Sequence, residues 1–334
     1  MDKKNFNILV VLASVILLIG ASGCEQTEDK KSSTSTGGTT DSFIGKVSEG
    51  LDIKFMGGAP PTEVYDSNYE FGINIRLENI GEYNINDEKA KVKIIGIDPV
   101  DFGKESKDFT QSVKGGLISA RKDPQGNDVA GGITNIDFAG LQAKNVTGNV
   151  PYTIRAEICY PYGTKTVSQV CILEDLLGTT RKAGEEPFCK PTGDRTYENS
   201  GAPVQVTAVK QSATAKDKVS ISFDIEHQAK GLIYGLGTDC NSVLSNKNKV
   251  RVKVKTGMND LECSGLGKAD PTTKEVVGSV TLYGEGGKEK RTIVCTQSLP
   301  DGTRVDSEKQ VMINLEYDYQ YHVDTQLVVK HTGD

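Results

Sequence analysis

Residues 313–331 read INLEYDYQYHVDTQLVVKH, and their order decides the fold class. Val311, Ile313, Leu315, Tyr317, Tyr319, Tyr321, Val323, Leu327 and Val329 share one parity. Asn314, Glu316, Asp318, Gln320, His322, Asp324, Gln326 and Lys330 share the other. Successive side chains of a strand point to opposite faces, so this period of two marks a half-buried β-strand. At about 3.3 Å per residue the run is too long for one ordinary strand. A hairpin with its turn near Val323–Thr325 is therefore expected, with Asp318 facing Lys330 on the outer side. The tyrosines keep the parity of Ile313, Leu315 and Val329, which places them in the core rather than on a sugar-stacking platform.

Residues 154–172, IRAEICYPYGTKTVSQVCI, resemble this stretch at an offset of 319 − 160 = 159. Ile154, Glu157, Tyr160, Tyr162, Thr166 and Val170 then match Ile313, Glu316, Tyr319, Tyr321, Thr325 and Val329. Upstream, 71–78 (FGINIRLE) aligns with 219–226 (VSISFDIE) at an offset of 148. Two copies of one supersecondary plan are implied, read as tandem domains. Residues 181–202, RKAGEEPFCKPTGDRTYENSGA, are polar and Gly/Pro-bearing and are expected as the linker between domains at 45–180 and 203–334. Short alternating runs punctuated by Gly, Pro, Asn and Asp fill both. The expected fold is all-β: two tandem immunoglobulin-like β-sandwich domains.

The N-terminus has its own signature. Lys3 and Lys4 precede an apolar run, Ile8–Ile19, and the small residues Gly20-Ala21-Ser22-Gly23 precede Cys24. Positive start, short apolar stretch and small-residue exit make an export signal, expected over 1–23. The small residues before Cys24 resemble the lipobox of bacterial and archaeal lipoproteins, where the Cys is lipidated, although Ala21 stands where that family prefers a larger aliphatic. The resemblance implies a lipid on Cys24 and an extracellular, membrane-held chain. The competing reading keeps Phe6–Gly23 as an uncleaved anchor. Residues 24–44, rich in Ser and Thr, are expected as a flexible tether.

Setting Cys24 aside leaves Cys159, Cys171, Cys189, Cys240, Cys263 and Cys295. An even number in an exported chain reads as three disulfides, and no pair has zinc-ligand spacing. Carrying the hairpin register to the first copy sets Cys159 opposite Cys171. Cys263 and Cys295 each end a strand-like run and are expected to pair, which leaves Cys189 with Cys240.

Residues 69–82, YEFGINIRLENIGE, resemble the strand-turn of CARDB and related Ig-like adhesion modules of archaeal and bacterial surface proteins. The shared pattern is an alternating strand closed by Glu78-Asn79-Ile80-Gly81; its counterpart Glu226-His227-Gln228-Ala229 departs from it. The resemblance implies a surface module for adhesion or spacing and carries no site residues.

Chemistry is sparse. The three His form no metal or nucleophile motif, so no catalytic residue, metal or cofactor is expected. Residues 123–128 (DPQGND) lack the closing Glu of an EF-hand and read as a turn. Net charge is −6 and no basic stripe interrupts the linear sequence, which argues against nucleic acid. Asn145-Val146-Thr147 is a possible glycosylation sequon. The expectation is a non-enzymatic surface lipoprotein that binds a protein partner or envelope component, with a structural spacer and a glycan-binding module as alternatives.

Overall fold

Alternation becomes strand wherever the chain is described. The computed structural model describes residues 43–66, 69–144, 146–182, 184–286, 288–300 and 304–332. The first half supplies β1 (Leu51–Phe55), β2 (Glu63–Tyr65), β3 (Phe71–Asn79), β4 (Lys91–Ile95), β5 (Thr110–Ser112), β6 (Arg121–Lys122), β7 (Asp128–Val129), β8 (Ile133–Leu141) and β9 (Val150–Ile172). Next come β10 (Gly193–Asp194), β11 (Tyr197–Asn199), β12 (Val204–Ala215), β13 (Lys218–His227), β14 (Leu232–Tyr234) and β15 (Lys249–Lys255). The last are β16 (Leu261–Cys263), β17 (Gly267–Lys268), β18 (Glu275–Thr281), β19 (Lys290–Ser298) and β20 (Ser307–Lys330). The fold is all-β, in sandwich layers.

The hairpin expected at Val323–Thr325 does not form. β20 is one strand of 24 residues. It pairs antiparallel with β9 from Ser307 opposite Ile172 to Val329 opposite Val150. Val323-Asp324-Thr325 carries no Gly, two β-branched residues flank its Asp, and its parity never breaks. Length is no obstacle, because different sheets cover different parts of one apolar face. The central sheet runs β18-β15-β20-β9-β4-β5. A three-stranded sheet, β1-β3-β8, covers one end, and a second sheet, β10-β12-β13-β19-β16-β17, covers the other. Both lie against the even residues of β9 and odd residues of β20. Leu51 of β1 meets Tyr160, and Val204 of β12 meets Tyr317.

Residues 181–202, expected as a linker, are part of this structure: β10 pairs β12 and β11 pairs β9. Glu82 accepts from the N–H groups of Ile44, Gly45 and Gly201 at 2.8, 2.9 and 2.6 Å, which fixes the start of the described body to the same segment.

The repeat is real but slipped. Tyr160 Oη accepts from Leu51 N–H at 3.3 Å, as Tyr317 Oη accepts from Val204 N–H at 3.1 Å. Tyr162 Oη donates to Asn79 at 3.1 Å, and Tyr319 Oη bonds His227 Nε2 at 2.9 Å. Structural equivalence is therefore 317 − 160 = 157, two residues short of the offset richest in identities. Neighbouring strands agree: β4 pairs residues 155–159 and β15 pairs residues 312–316. A slip of two preserves parity, so the burial pattern cannot detect it.

Candidate functional site

The four equivalent tyrosines form a block at the centre of the β9–β20 ladder. Tyr160 pairs Tyr319 and Tyr162 pairs Tyr317 in register. All four are at most 2% exposed. Their rings meet edge-on, with centroids 5.6 Å apart for Tyr160–Tyr162 and 5.8 Å for Tyr160–Tyr319, the arrangement the ring quadrupole favours. Burial pushes their phenols well above the usual range. They are core residues, as parity implied. His227 Nδ1 lies 2.7 Å from Glu289, which completes a Tyr319–His227–Glu289 chain. Its imidazole is 1% exposed, so the chain holds the core together rather than facing a substrate.

The opposite face of the central sheet is the accessible one. A loop from Gly235 to Asn248 is fastened to it by two devices. Cys159 is bridged to Cys240. Buried Asp318 accepts from the N–H groups of Gly237, Thr238 and Asp239 at 3.1, 2.8 and 2.9 Å, a concave nest that suits a carboxylate. The pairing Cys159–Cys171 expected from sequence is thus wrong. Both residues lie on one strand, and twelve residues of extended chain separate them by about 40 Å, far beyond the ~7 Å limit for bridged Cα atoms. Cys171 instead joins Cys189, and Cys189–Cys240 does not form. Cys263 does pair with Cys295, its direct cross-strand neighbour.

Around that loop the sheet is basic. β15 reads KVRVKVK: Val250, Val252 and Val254 are fully buried, which turns Lys249, Arg251, Lys253 and Lys255 outward. In the linear sequence valines separate these cations, and the alternation is the signal that gathers them on one face. On the equivalent strand β4, Val92 and Ile94 are buried and Lys91 and Lys93 face outward. Elsewhere, a cleft of about 570 Å³ is bordered by Asp260, Glu262, Lys268, Asp270 and Lys274. Its charges are mixed, and Asp270 is occupied by the N–H groups of Thr272 and Thr273.

Asp123 caps its own turn through Gln125 and Asn127, as its sequence implied. Among the described residues no group of three or more His, Cys, Asp or Glu could hold a metal ion. No helix of the described residues is long and apolar enough to cross a membrane. Cys24 and Asn145 lie outside the described residues. The three disulfides point to an oxidising compartment.

No family model matches the chain. No curated protein matches it. Among solved structures, the collagen adhesin (CNA) from S. aureus aligns over 85% of this chain and 93% of its own, at 9% identity and a TM-score of 0.17. No residue of this chain takes a role from that likeness.

Proposed function

We propose that the chain is a non-enzymatic surface module, held outside the cell by a lipid on Cys24, whose folded body binds a protein partner or an envelope component. The observation that carries this reading is the disulfide-clipped outer face of the central sheet. Cys159–Cys240 and the Asp318 nest hold a loop rigidly over a broad, solvent-facing strand surface. Such preorganisation lowers the entropy cost of binding. Exported sequence and disulfides agree with display outside the cell. The residues 69–82 that resemble adhesion modules agree with it as well.

One observation favours a spacer instead: the β9–β20 ladder runs unbroken through both halves and would transmit load between them. Crosslinking on intact cells, read by mass spectrometry, separates the two. Reproducible crosslinks from the outer sheet face to one molecule support the binding module. Crosslinks confined to copies of this chain would support the spacer. Radiolabelled fatty acid that fails to enter the wild-type chain, or still enters a Cys24→Ser variant, would remove the lipid anchor on Cys24.

A further inference from the structure

We propose that the outward face of β15 and its neighbours binds a linear polyanionic polysaccharide of the cell envelope; this names a partner class for the module proposed above and rests on that reading. Register builds the surface row by row. Ser279, Arg251, Glu316 and Gly163 form one row across β18, β15, β20 and β9. Val277, Lys253, Asn314 and Lys165 form the next, and Glu275, Lys255, Met312 and Val167 the third, with Glu198 of β11 beyond. Cations two residues apart on β15 stand about 6.6 Å apart, so Lys249 to Lys255 make a line about 20 Å long. Lys165 lies two strands over, roughly 10 Å from Lys253.

Carboxylates only partly offset this line. Glu316 takes Lys253 at 2.6 Å and reaches Arg251 at 3.8 Å, and Glu275 stands beside Lys255 in register without an ion pair. Among the described residues, Lys249, Lys255 and Lys165 have no ion-pair partner. A concentration of cations on a chain of net charge −6 is a local excess with a direction. The equivalent strand β4 is the internal comparison. Lys91 is held by Asp239 of the clipped loop at 2.8 Å. Among the described residues that loop forms no ion pair with the cations of β15.

The shape selects the ligand. Single exposed ion pairs are worth little, but a line of charges gains by releasing the counterions condensed on a polymer. The cations lie in a row along one strand, which suits an extended chain. Ser279 and Asn314, beside Arg251 and Lys253 in register, offer hydrogen bonds to sugar hydroxyls. The oxidising compartment implied by the disulfides makes an envelope polysaccharide the polyanion at hand.

The test uses the full chain in detergent with its disulfides intact. Binding to polygalacturonate is titrated at several salt concentrations, with neutral dextran and single-stranded poly-dT as further arms. The wild type binds polygalacturonate with an affinity that falls steeply as salt rises, and does not bind dextran. Arg251→Ser/Lys255→Ser loses at least tenfold, whereas Lys210→Ser/Lys218→Ser, an equal charge change on the β12–β13 sheet, changes affinity less than twofold. Lys165→Ser on β9 reads the same face should the first variant melt early. No binding by the wild type, or equal losses in both double variants, overturns the proposal. Tighter binding of poly-dT than of polygalacturonate also overturns it, in favour of nucleic acid. Protein crosslinks from intact cells without polygalacturonate binding would leave the binding module standing and remove this inference.

Discussion

Asn79 and His227 occupy the same place in the two halves, and each meets a buried tyrosine with different chemistry. Asn79 ends β3 opposite Leu51, and His227 ends β13 opposite Val204. Asn79 accepts from Tyr162 and donates to the carbonyls of Tyr83 and Leu117 at 2.9 and 3.2 Å. A neutral amide is saturated there by backbone. His227 instead bridges Tyr319 to Glu289. A buried polar atom must be paired, and the fold accepts either a neutral or an ionisable solution. Two residues further on the halves differ again. A Cβ on Gly81 would sit 2.7 Å from the Gly201 carbonyl and 2.8 Å from that of Glu49, besides striking Tyr162, whereas its counterpart is Ala229. The Asn-x-Gly pattern thus has a packing reason in one half that the other half has dispensed with.

The largest way to break this comparison is to release the loop that distinguishes the two outer faces. Cys159→Ser/Cys240→Ser opens a bridge spanning 81 residues and should cost about 4–5 kcal/mol in urea unfolding, by the chain-entropy estimate. An unchanged midpoint would mean the loop is not held by the bridge. Next, His227→Asn transplants the first half's solution into the second. It removes the imidazole from Glu289 and should cost about 3 kcal/mol, with Glu289→Gln restoring part of the loss. No restoration would show that packing, not charge, sets the penalty. Gly81→Ala should cost about 2–3 kcal/mol by overpacking, against about 0.5–1 kcal/mol for Ala229→Gly. Equal effects would dissolve the asymmetry at this position.

The smallest effect concerns the ends of the two long strands. Asp66 accepts from the Thr332 N–H and hydroxyl and from His331 beyond β20, and these hydrogen bonds hold its pKa near 2. Asp175, beyond β9, is held near 2 by Thr180 and Thr179 in its own turn. A depressed carboxylate stabilises the folded state above its ordinary value of 3.8 and loses that contribution as pH falls through 2. Amide protection factors at Leu327–Thr332 should therefore fall between pH 4 and 2, and in Asp66→Asn they should be low throughout. The end of β9 should change less, because its Asp bonds only local residues. Protection at Leu327–Thr332 that does not change with acid would count against the long-range clip.

Much of the fold was legible where alternation met a turn signal. Lys218–His227 and Lys249–Lys255, two of the short alternating runs, are strands. The tyrosines lie in the core, as parity required. The hairpin failed because strand length was judged as if a single sheet had to cover it. The Cys159 pairing failed with it, since it borrowed the hairpin's register. The basic face was in the sequence all along, hidden by counting neighbours in line rather than neighbours on a face.

By itself the sequence determined which side chains face inward, because a period of two assigns every residue of a strand to one side. It also supplied the six cysteines that the three bridges use. Tertiary structure alone decided what covers the inward side, where the two copies align, and which cysteines meet. Parity is unchanged by a slip of two residues and is silent about partners. Those choices follow from which surfaces come together around the tyrosine block, and no local pattern encodes them.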